Sequence, residues 1–170
     1  MDENKKSKSL KEILKFFLVS SIVGIVQLIL VNVLYFGLKS WTAPLPDFLK
    51  GIFSASVVGA GHDNWGYVLP FFLSNAIANV YGYFQNRKTT FRAENVPQWC
   101  LAVYLIVLFV LILFSTWLQG VVAGAVERIE KIAAFAPTLA MLVAGTVQFA
   151  VLFPLEKFVL FKNREPQQSD

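Results

Sequence analysis

The chain has 170 residues, 56% hydrophobic and 15% charged, with a mean hydropathy of +0.58 and a net charge of +4. A soluble domain is nearer half apolar and a quarter charged; here the apolar excess is gathered in four runs, which points to an integral membrane protein. Cys100, the only cysteine, excludes an intramolecular disulfide and a cysteine metal site, and a single histidine, His62, excludes a multi-histidine site.

Residues 1–15 form a basic head with Lys5, Lys6, Lys8, Lys11 and Lys15. Leu10, Ile13, Leu14 and Phe17 recur at helical period, which predicts a short interfacial helix leading into the first span. The apolar run behind it is too long for a signal peptide and lacks a small-residue cleavage site. Span one covers residues 16–38. Ser20, Gly24, Gln27 and Val31 follow helical spacing there, and Gln27 is the strongly polar group near its middle.

The connection 39–64 opens with Pro44 and Pro46, which break a helix. Residues 47–58 read either as an amphipathic interfacial helix, with Phe48, Leu49, Ile52 and Phe53 on one side, or as an ordinary ordered loop. His62 and Asp63 fall in the glycine-rich turn that follows.

Span two covers residues 65–84, with Pro70 near its first turn. Asn75, Asn79, Gly82 and Asn86 lie four, three and four residues apart and share one helical stripe, widened by Ser74, Ala78 and Gln85. Amides within a spanning helix are costly in lipid, so this stripe should face protein, water or a polar ligand. Arg87, Lys88 and Arg92 follow at once, in the loop 85–98.

Span three, 99–118, is rich in Leu, Val, Ile and Phe with no amide inside, and reads as largely lipid-facing. In the loop 119–131, the alternating charges of Glu127, Arg128, Glu130 and Lys131 suggest a solvated helix end. Span four, 132–155, holds Pro137 early and Pro154 late. Its Ala136, Ala140, Ala144 and Gln148 form a small-residue stripe that lets another helix approach. The tail 163–170 is polar.

The basic residues divide unevenly. The head lysines, Arg87, Lys88, Arg92, Lys157, Lys162 and Arg164 make eleven on one side; Lys39, Lys50, Arg128 and Lys131 make four on the other. The positive-inside rule then predicts both termini in the cytoplasm of a multi-pass cell-membrane protein. Trp41, Trp65, Trp99 and Trp117 fall near span ends, as interface anchors should.

A shift of 70 residues lays residues 87–92 on residues 157–162, with Asn86 on Glu156. Spans two and four run in the same direction, so the chain reads as an all-α four-helix membrane protein of two weakly related two-helix halves in parallel orientation. Glu156 can pair with Lys157 or Arg87.

The pattern Asn86-Arg87-Lys88-x-x-Phe91, its echo Lys157-Phe158-Val159-Leu160-Phe161, and the opening Phe16-Phe17-Leu18-Val19-Ser20-Ser21 resemble the GtrA-like family of small four-span membrane proteins. That family is related to the membrane subunit of dolichol-phosphate-mannose synthase. The likeness covers roughly residues 11–162 in span number, order and topology. Ser20 and Ser21 stand where glycines are usual, Gln27 where Asp or Asn is often found, Gly82 where Asn is frequent, and Thr89 where an aromatic is common. With Gln27 the position lacks the acid that a proton-coupled role would use.

The resemblance implies a part in cell-surface polysaccharide synthesis: flipping a polyprenyl-phosphate-linked sugar across the membrane or, alternatively, anchoring or regulating the glycosyltransferase that makes it. In that reading Arg87, Lys88, Arg92, Lys157 and Lys162 gather the phosphate. Asn75, Asn79, Gln85 and Asn86 would serve the headgroup. Ser20, Gly24, Gln27, Gly82 and Gln148 are the intramembrane polar and packing positions. The plainer alternatives stay open: a basic cluster also sets topology and attracts anionic lipid, and membrane amides also bond between helices. A homo-oligomer is expected as an option, because four spans enclose little volume. A small four-span exporter is disfavoured by spans free of Asp and Glu. No cofactor, metal, nucleic-acid partner or enzymatic constellation is expected.

Overall fold

The computed structural model describes residues 3–50 and 64–162, and its named elements are helical. Helix α1 (Glu3–Leu38) is unbroken over 36 residues. The interfacial helix expected ahead of span one is simply its first turns, because no glycine or proline stands before Gly24. The loop after it carries α2 (Asp47–Lys50), a single turn. Lys50 donates to the Asp47 carboxylate at 2.8 Å, and this bond holds the carboxyl below its usual range. The remainder of the 47–58 segment, His62, Asp63 and the tail from residue 163, Arg164 included, lie outside the described residues.

Helix α3 (Trp65–Gln85) runs into a wide turn, Asn86–Thr90, with hydrogen bonds from residue i to i−5. Helix α4 (Gln98–Glu127) is longer than the span expected to stop at residue 118. The segment 119–126 contains no proline, and Ala123, flanked by Val122 and Val126, packs against Ala136 and Ala140 of the last helix, which offsets the weak helix preference of two glycines. A 3-10 turn (Ala133–Phe135) leads into α5 (Ala136–Pro154), and a second wide turn, Leu155–Leu160, continues it.

Among the described residues three stretches are long and apolar enough to cross a membrane: Ser9–Leu38, Gln98–Glu127 and Leu139–Leu160. Their outer surfaces are apolar, as Leu18, Ile25, Leu28, Ile106, Val110 and Met141 illustrate. α3 packs along α1, and α5 along α4. The start of α1 and the end of α5 meet where Lys157 reaches Glu12, and the start of α4 joins them through Cys100, whose thiol donates to the Leu160 carbonyl at 3.5 Å. The Asn86–Thr90 turn lies at this same basic end, with Phe91 against Phe16 and Phe161.

The α1–α3 seam closes on two glycines. A methyl group on Gly82 would stand 2.7 Å from Val23 Cγ2. One on Gly66 would meet the carbonyl oxygens of Leu38 and Trp41 at 2.5 and 2.6 Å. Here the Gly66 amide donates to the Trp41 carbonyl at 2.8 Å and Trp65 to Ala43 at 3.0 Å, drawing the loop shut beneath the stacked rings of Trp41 and Trp65.

One sequence expectation changes and one is refined. Gly24 does not pack: nothing lies within 4 Å of where its Cβ would be, because the seam passes through Val23. α4 is the most buried of the three stretches, although most of it still faces outward. Cys100, Tyr104, Leu108, Leu111, Ser115 and Ala123 are buried along it, and 33% of its most apolar window is buried, against 11% for α1 and 22% for the last stretch. A helix this apolar offers little polar contrast from which to read its inner face. The Ala136, Ala140 and Ala144 stripe is buried as its spacing predicts, with Gln148 half-buried at its end.

Candidate functional site: a basic cleft at the end of the bundle

The site begins with the wide turn. Phe91 donates to the Asn86 carbonyl at 2.9 Å, and Ala93 to the Arg87 carbonyl at 2.8 Å. Between them Arg92 adopts φ 48°, and Asn95 follows at φ 50°. A left-handed residue just past a helix end is usually glycine, since a Cβ is disfavoured there. An arginine in that conformation reverses the chain while keeping a cation at the reversal. Arg87 Nε donates back to the Ala93 carbonyl at 3.4 Å.

Two open clefts flank this reversal. One, of about 680 Å³, is lined by Phe84, Arg87, Lys88, Arg92, Ala93 and Glu94. The other, of about 460 Å³, is lined by Lys15, Leu18, Val19, Lys88, Thr89 and Arg92. Lys88 and Arg92 border both. The sequence pointed to Arg87, Lys88 and Arg92, which do come together. It did not single out Lys15, Phe84 or Glu94. Lys15 reaches the cluster only because α1 lies against the turn.

The amides sit elsewhere. Asn75 and Asn79 are buried on the inner stripe of α3, and Asn86 in the turn that continues it, as their spacing requires. Asn79 Nδ2 donates to Asn75 Oδ1 at 2.7 Å and to the Asn75 carbonyl at 2.9 Å. The Tyr104 hydroxyl donates to the Asn79 carbonyl at 2.9 Å, tying α4 to α3. Asn86 Oδ1 accepts from Thr90 at 3.0 Å. These bonds occupy amide groups that would otherwise be bare in an apolar setting, and none of the three asparagines lines either cleft. Gln85 is half-buried, and its carbonyl accepts from Thr89 at 2.6 Å. Ser20 and Gln27 are half-buried deeper in the bundle.

Lys157 is engaged away from the clefts. It pairs with Glu12 at 2.7 Å, donates to Ser9 at 2.9 Å, and lies over the rings of Phe153 and Phe158. Glu156 therefore does not pair with Lys157 or Arg87. Its buried side chain lies within hydrogen-bonding reach of Asn86, and Oε2 has no hydrogen-bond partner among the described residues. Glu12 is the partner that the sequence did not suggest, although Ser9, Glu12 and Phe16 share one helical face. Lys162 is exposed and lines neither cleft.

Arg87, Lys88, Arg92 and Lys15 present clustered donors with positive charge, an arrangement that suits phosphate oxygens. Among the described residues no group of three His, Cys, Asp or Glu side chains is placed to hold a metal ion. No family model, curated protein or solved structure matches the chain.

Proposed function

We propose that the chain is a four-span cell-membrane protein with both termini in the cytoplasm, and that it translocates a polyprenyl-phosphate-linked sugar for cell-surface polysaccharide synthesis, as the GtrA-like resemblance implies. The observation that carries this reading is the cation cleft of Arg87, Lys88 and Arg92 at the end of an apolar helical bundle. A lipid-linked sugar brings a phosphate that such a cleft can gather, while its isoprenoid stays in the bilayer.

The fourth span is α3. Its 21 residues, at a rise of 1.5 Å each, reach about 31 Å, the thickness of the hydrocarbon core. Its asparagines bond to one another and to Tyr104, so crossing leaves few bare amide groups. Support for two parallel halves comes from positions 70 residues apart. Both wide turns close with a phenylalanine amide, Phe91 to Asn86 at 2.9 Å and Phe161 to Glu156 at 2.8 Å. Phe91 and Phe161 then meet ring to ring at 5.5 Å, and Asn86 reaches Glu156. Equivalent residues that touch one another belong on a two-fold axis between the halves.

One observation favours the second reading, a membrane subunit that anchors or regulates a polyprenyl-phosphate glycosyltransferase. The basic end is plugged with rings: Phe16 packs on Phe149 and Phe153 at 5.0 and 5.2 Å, and Tyr83 on Tyr104 at 4.7 Å. Translocation would then use a crevice at the surface or between copies of the chain.

Vesicles carrying the purified protein, scored for movement of a labelled polyprenyl-phosphate sugar, separate the two readings. Rates above empty vesicles support the carrier. Rates equal to empty vesicles, with co-purification of a glycosyltransferase that loses activity without this chain, support the subunit.

A further inference from the structure

We infer that the cleft between α1 and the Asn86–Thr90 turn binds a phosphate-headed membrane lipid, with Lys15, Lys88 and Arg92 on the phosphate and the exposed face of α1 beneath the tail. The inference deepens the proposed function and rests on its membrane reading, but it places the ligand on the α1 side of the turn and adds Lys15, Leu18 and Val19, which the family-like reading does not include among its ligand residues.

Charge comes first. Three cations from two separate elements border the 460 Å³ cleft, and no carboxylate lines it; Glu94 lines only the neighbouring one. Among the described residues no ion pair engages Lys15, Lys88 or Arg92, whereas Lys157 is neutralised by Glu12. The equivalent segment of the other wide turn carries exposed Phe158 and Val159 in place of Lys88 and Thr89, so a cluster of this kind arises on one side only. Clustered cations without a counter-charge call for an anion.

The apolar half of the lining then selects between a lipid and a free phosphate. Leu18 and Val19 complete the cleft. Leu18, Ile22, Ile25 and Ile29 are all exposed and lie four, three and four residues apart, a single stripe climbing α1 from the cleft. From Leu18 to Ile29, eleven steps of 1.5 Å, that stripe extends about 16 Å, well into one leaflet. A solvated anion gains nothing from it, whereas an acyl or prenyl tail attached to the phosphate lies along it. The left-handed Arg92 supplies the corner, since a chain that reversed through glycine would leave the cluster one cation short.

The test uses the full chain in uncharged detergent micelles and a fluorescent single-chain lipid phosphate monoester as probe. Lys15→Gln, Lys88→Gln and Arg92→Gln should each weaken probe binding about five-fold, the effect of removing one basic residue near an anionic lipid surface. Lys131→Gln, in the loop beyond α4 and outside both clefts, should leave it unchanged. Arg92→Gly keeps the backbone relaxed at positive φ and should weaken binding as Arg92→Gln does. Inorganic phosphate should compete poorly. The proposal falls if the three cleft variants match Lys131→Gln, or if inorganic phosphate displaces the probe as well as unlabelled lipid does, which would mark a free-phosphate site. Cleft-dependent probe binding without sugar-lipid translocation leaves this site standing and removes the carrier reading. Translocation together with probe binding that is unchanged in all three variants does the reverse.

Discussion

Gly24 and Gly82 read alike in the sequence, as small residues on helices that have to pack, but only Gly82 touches its neighbour. Gly82 receives Val23, so Gly82→Ala has to push α1 off α3, an overpacking cost of about 1–3 kcal/mol. Gly24 faces open space, and Gly24→Ala adds helix preference at no steric cost. Thermal unfolding in detergent should therefore show a clear loss for Gly82→Ala and none for Gly24→Ala. Equal losses would mean that the α1 register is wrong by one residue. Asn75, Asn79 and Asn86 show what spacing can reveal: amides in an apolar run must turn inward, so their burial was legible. Their partners were not, because Tyr104 arrives from a helix 25 residues further along.

At the scale of elements, the informative contact joins α1 to the end of α5. Lys157 holds Glu12 and Ser9, with its side chain 19% exposed and the Glu12 side chain 11%. A pair this sheltered loses more than a surface pair when one partner is removed, because the other stays desolvated. Glu12→Gln should raise amide exchange over residues 9–15 while leaving α4 protected, as hydrogen-exchange mass spectrometry can measure. Unchanged protection would show that packing of Phe16 among Phe91, Phe149 and Phe153 holds the helix without the ion pair. The long elements were readable from apolar run length. The inner face of α4 was not, since nearly every residue along it is apolar, and neither was its extension to Glu127, which rests on packing of Ala123 against Ala136 and Ala140.

For the whole molecule, the decisive quantity is how many times the chain crosses. The proposed four spans put Thr42 and Arg128 on one side of the membrane and Glu94 on the other. Single cysteines at these exposed positions, treated with a membrane-impermeant maleimide in sealed vesicles, should label Thr42→Cys and Arg128→Cys from the same side and Glu94→Cys from the opposite one. Cys100 is buried and stays silent. Labelling of Thr42→Cys and Glu94→Cys from one side would mean that α3 does not cross.

The sequence by itself determined that this is a helical membrane protein, where its apolar runs lie, where along the chain its Lys and Arg gather, and that the amide stripe of α3 faces inward. Each of these follows from local composition or helical period, because lipid demands long apolar segments and internally bonded polar groups. Only the tertiary structure decided that Lys15 joins Lys88 and Arg92 around one cleft, that Lys157 is committed to Glu12, and that Phe91 meets Phe161. Those meetings join residues 70 or more positions apart, and they depend on how the helices pack, which no local pattern encodes.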